Sequence, residues 1–238
     1  MSLNNDEIHA FLKERGFTHL HHANTVATSL TFLKSGGILS REAVEKKGLF
    51  QTSQLSDNDD KVHGVWNDVF FDTKDLHGFF PRQNLYGPVL FKFNLDVILQ
   101  KGIEISITKN NPMFWVKGIK EEDKYFNSID DFKTNWDKYQ LQRKMVTIRN
   151  QNDAIPFTFL ENIILDDPNV TIWGNIVLLN ESNFALKKVL EQVEELQKKF
   201  SIRAPHNCYC QTNYLNDYGA LKLAKYFLPI NHPNFNNS

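Results

Sequence analysis

Cysteine is nearly absent: Cys208 and Cys210 are the only two in 238 residues, one position apart. A disulfide framework is excluded on that count, and a reducing compartment fits. Long hydrophobic runs are missing as well. None approaches the roughly 18 apolar residues of a membrane span, so no membrane association is expected. The opening MSLNNDEIHAF has neither the basic nor the apolar region of an export signal, which points to the cytoplasm. There is no excess of one charge. With a formal net charge of -1, nucleic acid can be held only by a local cluster of Lys and Arg. Internal repeats and low-complexity linkers are also lacking, and Ala is scarce beside Phe, Asn and Lys.

What is present suffices for a core, with 41% hydrophobic and 13% aromatic residues. Helical periodicity dominates the first quarter. Asn5 is the expected cap of a short helix with the stripe Ile8, Phe11 and Leu12 and a stop at Gly16. Phe17 to Leu20 reads as a brief strand, Asn24 caps a helix carrying Val26, Leu30 and Leu33, and Ser40 caps another reaching Lys47. Gln51 to Lys61 has no periodicity and reads as a mobile loop. Strands follow at 65–72, 86–93, 103–107, 113–116, 144–149 and 172–179, with Asn94 capping a single turn and an amphipathic helix within 117–144. Ser182 is the expected cap of the longest helix, to about Phe200, and Tyr218 to Leu228 forms the last one. The order implies an α+β chain, residues 1–200 forming the domain and 201–238 a C-terminal helical appendage of it.

The stretch Ile155 to Asp167, IPFTFLENIILDD, reads as an interior strand with a carboxylate in its middle. Phe157, Phe159, Glu161, Ile163 and Leu165 fall on one side, with Leu160 and Ile164 on the other. An unpaired buried charge costs several kcal/mol, so Glu161 must be partnered, protonated or turned into a cleft. The expectation is a cleft where Glu161 does chemistry. The densest group of catalytic residue types lies far upstream, in Thr18, His19, Leu20, His21 and His22. On a strand His19 and His21 share a face, suited to gripping a polar substrate; a metal would need a third ligand that the neighbourhood does not offer. The segment APHNCYC brings His206, Cys208 and Cys210 together, at a spacing too short for structural zinc.

These motifs carry a resemblance. THLHHANTVATSLTFLKSGGILSR resembles the opening of the DNA ADP-ribosyltransferase toxin family (DarT). VHGVWNDVFFDTKDLH is similar to that family's aromatic strand, and LYGPVLFKFNLDVIL to the strand after it. LENIILDDPNVTIWGNIVLLNESNFALKKVL looks like the strand of the catalytic glutamate with the strand and helix beyond, so the likeness runs with gaps from about residue 17 to 196.

The resemblance implies an ADP-ribosyltransferase-like fold, a split pair of small β-sheets with flanking helices, clasping NAD as a substrate. It implies a toxin or phage-defence enzyme that modifies a macromolecule, foremost a nucleic-acid base in single-stranded DNA or RNA, and an antitoxin that neutralises it. Glu161 takes the place of the catalytic glutamate, and His19 contacts the NAD ribose or the nicotinamide amide. His21 stands where the family has threonine, and Asn24 in the following turn is a further cofactor contact. Phe71, alternating with Phe70, is assigned the cofactor side. The family's arginine has no counterpart in GLFQTSQLSDNDDKVHG; Arg41, slightly earlier, takes the catalytic role, with Lys61 as the alternative. Two other functions stand beside this one: a metal-dependent nuclease using Asp96 and Glu104, and a non-catalytic binding module.

Overall fold

The structure is a computed structural model that describes residues 3–79, 85–140, 144–204 and 207–235. Its strands are β1 (His19–Asn24), β2 (Gly37–Ile38), β3 (Val69–Asp72), β4 (Val89–Asn94), β5 (Glu104–Ile107), β6 (Met145–Arg149), β7 (Ile155–Pro156), β8 (Leu160–Leu165), β9 (Thr171–Ile172), β10 (Ile176–Val177) and β11 (Phe200–Ile202). The helices are α1 (Asn5–Glu14), α2 (Val26–Ser35), α3 (Arg41–Lys46), α4 (Asp57–Val62), α5 (Leu76–Phe79), α6 (Glu121–Lys124), α7 (Ile129–Asn135), α8 (Leu178–Leu190), α9 (Glu194–Gln197), α10 (Cys210–Asn216) and α11 (Ala220–Phe227). None of the helices among the described residues is long and apolar enough to cross a membrane.

A seven-stranded sheet in the order β11-β8-β4-β1-β3-β6-β5 forms the centre, beside two small sheets, β10-β9 and β2-β7. The large sheet is forked. β1 pairs with β4 along its whole length, from His19 opposite Asn94 to Asn24 opposite Val89. Toward β3 it makes a single pair, His21 opposite Asp72, while β3 continues fully paired with β6. Four strands thus lie on one side of the fork and three on the other, which is the split that the resemblance implies. One face of β1, β4 and β8 buries Leu20, Phe91, Phe93, Ile163 and Leu165 in the main core, packed with Ile8 and Leu12 of α1, Leu30 and Leu33 of α2, and Leu186 of α8. A second, smaller core joins the C-terminal helices to β9, β10 and α8 through Tyr214, Phe227, Ile172 and Leu178.

Several elements depart from the periodic reading. Ile155 to Asp167 is not one strand: β7 pairs with β2, a 3₁₀ turn spans Phe157–Phe159, and only β8 joins the large sheet. The expected strand at 172–179 is the short hairpin β9-β10 running straight into α8, so Ser182 sits inside that helix with its hydroxyl within hydrogen-bond distance of Leu178 O and Phe227 O instead of capping. The expected strand 113–116 is a 3₁₀ turn, Pro112–Phe114. The loop 51–61 contains α4, anchored by Asp57 on Arg41. Caps shift by one residue at two helices, since Asn4 caps α1 and Thr25 caps α2.

Candidate active site

Glu161 owes its direction to an irregularity. β8 faces β4 with Asn162 opposite Lys92 and Leu160 opposite Phe93, so Glu161 is the extra residue, bulged out of the ladder. An unbroken strand would place it on the buried side with Ile163 and Leu165; a bulge re-aims one side chain at the cost of one pairing. Its carboxylate reaches over β4 to β1. His19 Nε2 lies 2.6 Å from Oε2, Asn94 Nδ2 donates to Oε1 at 3.0 Å, and Lys92 Nζ stands 4.0 Å from Oε2. Burial alone raises the Glu161 pKa, but the bonds from Asn94 and His19 outweigh it and hold the carboxyl below its ordinary range. An ionised carboxylate only accepts, so Nε2 of His19 donates to it, while Nδ1 lies 2.7 Å from Thr18 Oγ1.

Two cavities adjoin β1. The larger when space open to solvent is counted, about 850 Å³, occupies the fork and is lined by His21, Asn24, Arg41, Trp66, Phe70 and Tyr86 among others. The smaller, about 530 Å³, lies between the start of β1 and the loop after β3, with His19, His21, Lys74 and Asp75 in its wall. His21 lines both. The residue is 7% exposed, and burial lowers its pKa to about 4 against the pull of Asp75 and of the Asp72 backbone, so the ring is neutral near pH 7. A buried, neutral imidazole at the junction of two cavities is a ready contact for a polar ligand. Burial likewise pushes Asp60 and Asp68 of the larger cavity up to about 6.

Arg41 lines the larger cavity, stacked 5.1 Å over Trp66. Its Nη2 donates to Thr52 O and Asp57, while the buried Nε and Nη1 have no partner. Arg41 and Glu161 are therefore not in contact; Glu161 is in neither cavity wall and approaches the smaller one through His19. Lys61 stacks on Trp66 and pairs with Glu45. Asn24 lines the larger cavity too, its Oδ1 accepting from Thr25 N. Phe71 is a correction. It is 0% exposed, packed in the core against His22 and Phe93, and the neighbouring Phe70 takes the cavity wall because alternation along β3 sends the two rings to opposite faces. Asn94, Trp66 and Tyr86 escaped the sequence reading. Asn94 looked spent as a turn cap, although a cap uses only its carbonyl and leaves the amide donor free.

His77, Asp166 and Cys210 form a buried cluster with ligand atoms within 4.8 Å of one another. Asp166 already accepts from Arg203 Nε at 2.7 Å and Tyr214 at 3.0 Å and lies 2.7 Å from His77 Nδ1. Burial disfavours its charge, but His77 and Arg203 reverse that and lower its pKa. A hydrogen bond with Cys208, together with burial, raises the pKa of Cys210, which keeps it a thiol and unsuited to nucleophilic attack. His206 lies outside the described residues. Asp96 pairs with His9 after β4, whereas Glu104 stands exposed on β5 at the edge of the sheet farthest from β11.

Fold and site together define an α+β protein with a forked central sheet and a carboxylate held by a histidine and an asparagine beside the fork. The chain is similar to a Thermus sp. 2.9 DarT solved in complex with ADP-ribosylated ssDNA, at 11% identity and TM-score 0.49 over 79% of this chain and 95% of that one. It is also similar to Thermosipho africanus DarTG in complex with ADP-ribose (13% identity, TM-score 0.48, 80% of this chain and 51% of that one) and to the Thermus DarT in complex with NAD+ (12%, 0.45, 79% and 96%). No protein-family model and no curated protein matches the chain.

Proposed function

We propose that this protein is an NAD-consuming ADP-ribosyltransferase acting on a macromolecule, foremost a base in single-stranded nucleic acid. The observation that carries the reading is the ionised Glu161, gripped by His19 and Asn94 on the strand face that also presents His21 at the fork. Breaking the nicotinamide-ribose bond develops positive charge on the sugar, and a preorganised anion beside C1′ stabilises it where it appears. Nicotinamide leaves with the bonding pair, the acceptor's nucleophile bonds to C1′, and its proton passes to Glu161 or to solvent. The neutral His21 and Asn24 supply hydrogen bonds to the dinucleotide, and the two unpartnered donors of Arg41 supply contacts to an anionic part of the substrate. Phe70, rather than Phe71, offers the aromatic face. A toxin or phage-defence role, with a neutralising antitoxin, follows from the sequence resemblance.

The test is nicotinamide release from NAD in the presence of single-stranded DNA, RNA or protein acceptors. Glu161→Gln is expected to lower the rate by about 10²–10³-fold, the range for losing one preorganised electrostatic contact. Wild-type protein that neither releases nicotinamide nor labels any of the three acceptors refutes the reading.

A further inference from the structure

We propose that Asn94 is a positioning residue for Glu161, an inference that rests on the carboxylate chemistry just described. Asn94 ends β4 directly opposite His19. Its Oδ1 accepts from Asp96 N at 2.9 Å, capping the turn Leu95–Leu99. A backbone N–H can only donate, so this bond fixes which way round the amide sits and turns Nδ2 toward Glu161. Nδ2 then donates to Oε1 at 3.0 Å while His19 holds Oε2 at 2.6 Å. The two carboxylate oxygens are thereby held from two different strands, β4 and β1.

The bulge makes this grip necessary. Glu161 has no partner opposite it in β4 and a side chain that is 38% exposed, so neither ladder nor packing selects its rotamer. A glutamate has three side-chain torsions, and a catalytic group left free to sample them is out of place most of the time. Asn94 is itself rigid, since its other end is tied to backbone. The chain thus uses one amide to end a strand, start a turn and orient the carboxylate from the adjacent strand.

The decisive variant is Asn94→Asp. Aspartate caps a helical turn as well as asparagine does and has the same size, but it presents an oxygen where Glu161 needs a donor. Asn94→Ser, a neutral cap too short to reach Glu161, is the second arm should the first fail to fold. Two readouts are taken: the titration of the Glu161 carboxyl by carbon NMR, and steady-state NAD turnover with its kcat and KM. In both variants the titration midpoint is expected to rise and kcat to fall about 10- to 100-fold, the scale of a misplaced catalytic group, with KM for NAD changing by less than about threefold. A Glu161 titration identical to wild type in a folded variant, or an unchanged kcat, overturns the proposal. If wild-type protein consumes no NAD while the titration still moves, the activity assigned above fails and the positioning role stands.

Discussion

His21 sets a pH dependence that can be isolated. Burial holds its folded-state pKa at about 4, below the ordinary 6.5 of the unfolded chain. Between those values the unfolded state binds the proton and the folded state does not, so this ring's contribution is complete above pH 6.5 and is lost as pH falls toward 4. Asp60 and Asp68, raised to about 6, act in the opposite sense, and total stability therefore mixes both signs. A difference measurement separates them: in urea titrations, the stability advantage of wild type over His21→Thr is expected to shrink by about 3 kcal/mol between pH 7 and pH 4, at about 1.4 kcal/mol per pKa unit. An advantage independent of pH would place the proton on the folded ring as readily as on the unfolded one. Glu161 was legible as a candidate because a carboxylate inside an apolar run is anomalous by pattern alone. Which of Phe70 and Phe71 faces the cavity was not, because alternation names two faces without saying which one is covered.

The approach to β4 is tightly constrained at Gly87. Gly87 has φ +137°, and a Cβ there would stand 2.3 Å from both the carbonyl carbon of Asn24 and the amide of Thr25. Those atoms are backbone at the junction of β1 and α2, so they cannot swing aside, and the left-handed φ strains any larger residue besides. Gly87→Ala is expected to cost at least about 2 kcal/mol. It should also disturb the cavity wall at Asn24, to be read as a lower unfolding midpoint together with weaker binding of NAD, the substrate proposed above. A neutral effect would mean that the loop has room the geometry denies. The sequence marked α2, α3, β6 and α11 well, since each has an apolar period and most have a stop or cap nearby. It misjudged β8, the β9-β10 hairpin and α4. In each of these the deciding contact is distant or polar: a bulge against β4, a helix start that interrupts an apolar run, and the Arg41–Asp57 pair.

The C-terminal segment is bound into the site's framework. β11 runs parallel to β8, with Phe200 opposite Ile163, so the strand that carries Glu161 is flanked on its outer side by residues from the end of the chain. Just beyond, Arg203 clasps Asp75 at 2.6 and 3.2 Å and Asp166 at 2.7 Å, tying the loop of the smaller cavity to the residue that follows β8. Burial opposes the guanidinium charge, but the two carboxylates overcome it and raise its pKa. Breaking a buried pair from one side leaves an uncompensated charge. Arg203→Leu is expected to destabilise the fold by about 3–5 kcal/mol, a fall in Tm on the order of 10 °C for a chain of this length. A melting curve within a degree or two of wild type would show that Asp166 is satisfied by His77 and Tyr214 alone.

Local pattern settled the α+β class and the His-bearing strand and singled out Glu161 as a candidate, because apolar periodicity, caps and an out-of-place charge are written within a dozen residues. The fork between β1 and β3, the cavities on either side of His21, the inward turn of Phe71 and the double grip on Glu161 came from the assembled chain. His19 and Glu161 are 142 positions apart and Asn94 is 67 from Glu161. Which residues meet across such distances depends on strand register and on a single bulge. These are set by the sum of many weak packing and hydrogen-bonding terms over the whole sheet, and no short stretch of sequence contains that sum.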